Sequence, residues 1–530
     1  MSYRIGIDVG GTHTDAVLLD KDYRVLAKTK TSTTQDVSSG IYAAMREVIA
    51  ESGVPREQIT YAMLGTTHCT NAIVERKHLN QIAFIRIGAP ATLAIKPLIG
   101  VPDDLRAHLG KHVYIVSGGH EFDGREITKL DEAELYRIAN EIKDKVDSVA
   151  IASVFSPVSK DHELRTAEIL REVLGEEVPI SLSYEIGSVG LLERENATIL
   201  NAAIVNVAKT TATGFINALK AENVDARVFF GQNDGTLMSI EYAMKYPILT
   251  IGCGPTNSIR GASYLSGLAN ALVVDVGGTT TDIGVLVNSF PRESSLAVEI
   301  GGARTNFRMP DLISIGLGGG TIVRIQDDGS FTVGPDSVGY QLPQRGLAFG
   351  GDTLTTTDVL IALKKSDLGD AEKVAHLHQD ILLKVYDRIV EMAEEAIDKM
   401  KTSAEPVPVI LVGGGSILFP DELKGASQII RPENFGVANA IGAAISQISG
   451  QIDRVFSLDE MGRDQTLALA KSIAVEEAIA AGAEPATVEI VEFEDIPLSY
   501  LGNATRIRVK AAGTLASVDT SSACEEVSNS

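Results

Sequence analysis

The stretches IGIDVGGTHTDAVL (residues 5–18) and LVVDVGGTTTDIGV (residues 272–285) carry one pattern twice. Asp8 through Asp15 matches Asp275 through Asp282 at seven of eight positions, the exception being His13 against Thr280. Each copy follows an apolar strand and leads into a second one, so each reads as the turn of a β-hairpin. A Walker loop would lead into a helix, and GxxxxGK[ST] does not occur. Paired glycines can take positive φ and let backbone N–H groups approach an anion closely, and the threonines add hydroxyl donors. An aspartate at the strand end suits the hydration shell of Mg²⁺, which neutralises charge in phosphoryl transfer. One GGT could be only a tight turn. Two near-identical copies in different halves of the chain point to paired phosphate loops.

Working outward, strand-like and helix-like stretches alternate, which predicts an α/β protein. Residues 3–9, 15–20 and 22–28 read as strands, and 37–53 reads as a helix. Residues 80–185 read as an α/β region inserted into an N-terminal lobe spanning 1–205. A long helical segment near 190–221 joins that lobe to a C-terminal lobe spanning 206–451. The stretch 371–402 reads as one helix with an apolar stripe from Val374 to Met392. Composition then shifts, predicting a small α+β module at 452–518 and a disordered tail at 519–530.

Bulk composition narrows the chemistry. The chain has 530 residues, 49 of them glycine, no tryptophan, and a formal charge of −23. Such an acidic chain is repelled by phosphate backbones and anionic membranes, so neither nucleic acid nor a membrane is expected as a partner. Nucleotide affinity would have to come from local backbone geometry and a divalent cation. Cys69, Cys253 and Cys524 lack the spacing of a disulfide framework or zinc site. The chain enters a strand at once, and no apolar run approaches the roughly 20 residues of a membrane span, which predicts a cytoplasmic protein.

The doubled loop resembles the phosphate-1 and phosphate-2 motifs of the actin/Hsp70/sugar-kinase superfamily. PVILVGGGSILF (408–419) resembles its adenosine motif, a strand ending in glycines. The resemblance implies two ribonuclease-H-like lobes around a nucleotide cleft. Finer stretches resemble the hydantoinase A/oxoprolinase family: LGTTHCTNAIVER (64–76), SPVSKDHELRTAEIL (156–170), LLERENATILNAA (191–203), GQNDGTLMS (231–239), GCGPTNSIRGA (252–262), GLGGGTIVRI (316–325) and GPDSVGY (334–340). They occur in the family's order across roughly residues 3–450.

This resemblance implies an ATP- and Mg²⁺-using subunit that phosphorylates the carbonyl oxygen of a cyclic amide or ketone. A hydantoinase B-like partner would complete the reaction, and self-assembly is left open. Asp8 and Asp275 would be catalytic and hold the metal, with Asp282 behind them. Gly10, Gly11, Thr12 and Thr14, with Gly277, Gly278, Thr279 and Thr280, would cradle the phosphates. Gly413, Gly414 and Gly415 would pass beneath the adenosine. Thr66, Thr67, His68, Thr70 and Asn71, one loop and helix start, would hold a small polar substrate, although capping alone accounts for them equally well. Glu193, with Arg194, would face the cleft. His120 and His162 have carboxylate neighbours but no zinc-ligand spacing.

The chain departs from the family at FIRIGAP (84–90) and QLPQRGLAFGGD (341–352), so family substrates do not carry over directly. A small-molecule kinase and an ATPase switch that reactivates another enzyme are the rival readings.

Overall fold

The computed structural model describes residues 2–516 apart from 33–36, 188, 295–297, 308, 459–460 and 499–502. The expected disordered tail and Cys524 lie outside these residues.

Two sheets organise the molecule. In the first, Tyr3–Val9 turns back antiparallel as His13–Leu19 and Val25–Ser32, while Ile59–Thr66 and Arg227–Gly231 lie parallel on its other side. In the second, Ala271–Val276 turns back as Thr281–Val287, which pairs Phe290–Pro291 and Leu312–Ile315. Val407–Val412 and Ala426–Ile430 lie parallel on its other side. Both sheets therefore have the strand order third, second, first, fourth, fifth. The sequence repeat is the visible part of a repeat in topology.

Residues 448–457, 489–497 and 504–513 extend the first sheet to nine described strands, through a bridge from Ile448 to Leu237. The separate C-terminal module expected after 452 is thus corrected: these strands belong to the first lobe. Ile448, Ile452, Ile507 and Val509 share a core with Tyr61, Met63 and Phe229 and with the alanines Ala470, Ala474 and Ala478 of the helix Gly462–Ala481. Burying that apolar face demands the first sheet as its backing. The expected lobe boundary at 205/206 also moves, because it falls inside the single helix Leu191–Ala221 and the strands that follow rejoin the first sheet.

That helix is the one described helix long and apolar enough to span a bilayer, contrary to the reading that no such run exists. Some 61% of its apolar window is packed inside the protein. The helix expected at 371–402 starts only at Gln379, after a 3₁₀ turn at Ala371–Val374.

Residues 82–182 contain a separate parallel sheet, ordered His112–Ser117, Ile82–Ala89, Ser148–Ser153, Ile180–Leu182. Fully buried Arg86 of this sheet forms two hydrogen bonds to Glu195 on the helix Leu191–Ala221, at 2.8 and 2.5 Å. In return, the second lobe sends the hairpin Val298–Ile300 and Ala303–Thr305 onto the same helix, where Asn196 Nδ2 donates to Arg304 O at 2.9 Å.

Between the two main sheets lie two inner helices, Cys253–Ser266 and Ala438–Ile445. They cross at bare glycine. A Cβ on Gly261 would collide with the Ala438 carbonyl, and one on Gly442 with the Asn257 carbonyl. Gly6 meets Ala440 the same way, which seats the helix Ala438–Ile445 against the first strand.

Candidate active site

The register of each hairpin places its two aspartates face to face: Asp8 opposite Asp15, and Asp275 opposite Asp282. Directly opposed residues project to the same face of a sheet, so each lobe offers a carboxylate pair. Both turns close identically, with Gly10 N–H donating to His13 O and Gly277 N–H to Thr280 O, each at 2.9 Å. The glycines do not use positive φ here, which corrects the expectation. What they supply is space. Gly278 packs against Thr12 of the opposite hairpin, where an added Cβ would stand 3.3 Å from the threonine side chain. The two glycine turns therefore meet across the cleft.

The glycine run Gly413–Gly415 follows the strand Val407–Val412, parallel to the second aspartate strand, with Val412 opposite Asp275. Gly413 has φ +82°, and a side chain there would strike the Asp275 carboxylate. Gly415 packs on the carbonyl of Gly277. The GLGGGT stretch also folds onto this turn, with Gly319 N–H donating to Gly277 O (3.0 Å) and Gly320 N–H to Gly278 O (2.7 Å).

In the first lobe the equivalent place belongs to the end of Ile59–Thr66, where Gly65 is opposite Asp8. Thr67 donates from N–H and Oγ to Val9 O, both at 3.2 Å. Thr66 Oγ is 2.5 Å from His68 Nδ1, and Asn71 Nδ2 donates to Thr67 Oγ at 3.4 Å. Thr70 is half-buried on the same helix, His68–Glu75. Burial pushes the His68 imidazole down to about 4, so it is neutral near pH 7. The threonine loop thus occupies, in one lobe, the position that the glycine run occupies in the other.

Several side chains that sequence reasoning left without a role hold the carboxylates. Asn257 Nδ2 donates to Asp8 Oδ1 at 3.2 Å, and the next residue, Ser258, donates from Oγ to Asp275 Oδ2 at 2.5 Å. One inner helix therefore grips one aspartate from each lobe with consecutive residues. From the other inner helix, Asn439 Nδ2 donates to both Asp8 Oδ2 (3.0 Å) and Asp15 Oδ2 (2.8 Å). Lys30 Nζ lies 2.6 Å from Asp15 Oδ1, and an open cleft of about 230 Å³ is lined by Lys28, Thr29, Lys30, Asn434, Gly436 and Val437. GPTNS within 254–258 was the only signal for Asn257 and Ser258. Lys30 and Asn439 carried none.

Desolvation leaves these carboxylates short of countercharge. Asp8 is raised from 3.8 to about 6, chiefly by burial, with Asp15 and Asp275 adding repulsion against the two asparagines. Burial also raises Asp282 to about 6 and lifts Asp275 in the same direction. Among the described residues, Thr14 Oγ is buried with no hydrogen-bond partner. Thr14 is paired with Val9 and so points to the other face of the sheet, but the crowded carboxylate set itself, short of countercharge, fits a divalent cation.

Glu193 sits apart from the hairpins, beside Gly190 and Asn306 at the start of its helix. Arg194 does not face the cleft. It is fully buried and donates to Ser153 O, Ser183 Oγ and Val189 O, with the Glu163 charge nearby. Cys253 bonds the Thr66 backbone, and burial pushes its thiol up to about 12, so its role is structural.

Two lobes of one strand order, clamping paired DVGGTxTD turns, define the α/β fold of the actin/Hsp70/sugar-kinase type. The chain belongs to the hydantoinase/oxoprolinase family: that family's N-terminal region matches residues 4–174, and its main region matches residues 194–452. The chain is 27% identical to the caprolactamase subunit alpha of Pseudomonas jessenii over 68% of this chain and 54% of that one. It is 26% identical to the acetone carboxylase beta subunit of Xanthobacter autotrophicus, again over 68% of this chain and 54% of the relative. It therefore spans about half the length of these relatives. The solved ATP-dependent caprolactamase of P. jessenii shares the fold, with a TM-score of 0.78 at 19% identity over 97% of this chain and 88% of that one.

Proposed function

We propose that the chain is the ATP- and Mg²⁺-using subunit that phosphorylates the carbonyl oxygen of a cyclic amide, and that a hydantoinase B-like subunit completes ring opening. The observation carrying this reading is the pairing of Asp8 and Asp275 across the cleft by Asn257 and Ser258 of one helix. The phosphate turns meet beneath a glycine run on one side and a threonine-histidine-asparagine loop on the other. That asymmetry suits a nucleotide in one half and a small polar acceptor in the other.

ATP would supply an electrophilic γ-phosphorus. The amide oxygen attacks it, ADP leaves, and loss of the N–H proton gives an imidate phosphate. Water added at the imidate carbon lets the protonated ring nitrogen leave, giving an acyl phosphate. A second water releases phosphate. In this scheme Asp8, Asp275 and Asp282 hold the cation, and Gly10, Gly11, Thr12, Thr14 and Gly277–Thr280 surround the phosphates. Gly413–Gly415 lie under the adenosine. Thr66, Thr67, His68, Thr70 and Asn71 orient the amide, with Glu193 a more distant contributor.

The test is Mg·ATP turnover across hydantoins, lactams, 5-oxoproline and small ketones, with and without a hydantoinase B-like protein. Stimulation by one ring class supports the reading. Stimulation only by a sugar or other alcohol, or only by an inactivated enzyme, sinks it. His68→Ala is expected to lower kcat/KM for the organic substrate about 100-fold, through loss of positioning and proton transfer, while nucleotide Kd stays unchanged.

A pH prediction follows from the raised carboxylates. Between about pH 4 and 6 the folded chain keeps protons on Asp8 and Asp282 that the unfolded chain has released. These two groups therefore make stability fall as pH rises through that window, with no further loss above it. A cation neutralises the charges that cause the loss. Mg·ATP is expected to raise Tm more at pH 7.5 than at pH 5, as differential scanning fluorimetry would show, and turnover should have an acid limb near pH 6.

A further inference from the structure

The inserted parallel sheet enters at Ile82–Ala89, steps to one side as His112–Ser117, then to the other as Ser148–Ser153. The side to which successive strands are added therefore switches between Ile82–Ala89 and its parallel neighbour Ser148–Ser153. Open parallel sheets take ligands at such a switch point, outside the carboxyl ends of the strands.

Three metal-ligating side chains meet there. His120 follows the strand His112–Ser117, and its N–H donates to Val154 O, just past Ser148–Ser153. Glu126 bridges back to His120 after a turn closed by Gly124 N–H donating to Glu121 O. His162 lies in the first turn of the helix Asp161–Leu174. One ligand atom from each of the three lies within 4.8 Å of the others, and the two imidazole centroids are 4.3 Å apart. His120 is 3% exposed and His162 5%. His120 Nε2 lies 3.2 Å from Ser159 Oγ, while its Nδ1 is buried without a hydrogen-bond partner among the described residues. A buried polar atom left unsatisfied costs about 1–3 kcal/mol, so it calls for an occupant.

We propose that His120, Glu126 and His162 form a site for one divalent transition ion of the zinc class, separate from the hairpin cleft and independent of the function proposed for it. Two imidazoles and a carboxylate are the donors that such an ion prefers and that Mg²⁺ does not. Zinc-ligand spacing is absent along the chain because the three ligands come from separate segments that only the fold brings together. His162 Nδ1 accepts the Gly119 N–H at 2.9 Å, so the neutral ring carries its proton on Nε2, 3.1 Å from Glu126 Oε1. The ion takes that proton's place, and the proton moves to Nδ1 as the Gly118–Gly119 peptide turns a carbonyl toward the ring. Both glycines stand at positive φ, +141° and +93°, and lack the Cβ that restricts backbone rotation in other residues. Glu126 is 53% exposed, which leaves the ion one solvent-facing position for a fourth ligand.

The experiment uses the full chain and Co²⁺ as a spectroscopic probe, with excess Mg²⁺ to occupy the hairpin carboxylates. One saturable equivalent with a d–d band, displaced by Zn²⁺, is the expected result. H120A and H162A should weaken binding about 100-fold or more, and E126Q, at a solvent-facing position, at least about tenfold. Circular dichroism checks that each variant folds, and E126Q stands in if a histidine variant does not. No saturable band in the wild type, or a folded H120A or E126Q that binds Co²⁺ like the wild type, overturns the proposal.

Discussion

Asp8→Asn is expected to cut ATP turnover about 1,000-fold while leaving the protein folded, because the change removes a charge without removing volume. Asp8 accepts from Asn257 on one oxygen and from Asn439 on the other. An asparagine at position 8 keeps one carbonyl acceptor and turns an amide N–H₂ toward the second donor, so one of those hydrogen bonds is lost. That loss costs about 1–3 kcal/mol. Against it stands the removal of a buried charge whose desolvation has raised its pKa to about 6. The two effects offset each other, and Tm should move by only a few degrees. Asp275→Asn should cost turnover on a similar scale. The double variant should be little worse than either single one, since residues that act as a unit lose activity non-additively. Phosphate release measured alongside calorimetric nucleotide binding checks this. A folded Asp8→Asn protein retaining a tenth of wild-type turnover would refute the paired-aspartate reading.

Gly442→Ala is the second large expected effect, and it acts through packing. The new methyl would point into the carbonyl of Asn257 on the facing inner helix. Neither helix can yield easily, because Gly261 is equally close to the Ala438 carbonyl and Gly6 presses Ala440 from the sheet side. Overpacking of this kind costs about 3 kcal/mol. The displaced segment carries Asn257, which bonds Asp8, and Ser258, which bonds Asp275. A shift of about 1 Å in positioning can cost about 100-fold in rate. Urea denaturation should therefore show a lower midpoint, and turnover of the folded fraction should fall as well. A surface control such as Lys384→Ala, exposed on the helix Gln379–Met400, should do neither.

The hairpin pair was legible because strand, turn and strand are local and the copies are nearly identical. From them came the two lobes and, through the resemblance they carry, Asp8, Asp275 and Gly413–Gly415 as candidates. That the aspartates face each other and that the glycine run abuts Asp275 came only from the register. The inner helix Ala438–Ile445 was not legible: its sequence ANAIGAAI has no polar face, since both sides are packed between sheets. Asn439 was hidden with it. The C-terminal strands read as a separate module because their neighbour Leu237–Ser239 lies far back in the chain, and sequence pattern carries no signal for such remote pairing. Lys30 was missed for a related reason, as its importance lies in the distance to Asp15 across a hairpin.

The return of strand Ala504–Gly513 to the first sheet has a consequence for the order of assembly. Buried Asp234 lies 2.7 Å from the Lys510 ammonium on that strand, and both side chains are almost wholly sealed from water. During synthesis Asp234 leaves the ribosome long before Lys510. Until that lysine arrives, Asp234 lacks its direct ion-pair partner and has only the more distant Arg260 charge to offset it, so its neighbourhood is costly to dry. The second lobe lies complete between these two residues, with its own core of Leu272, Val274, Val409 and Leu411. The part of the chain made later is thus free to mature first, and the lobe begun first is finished last.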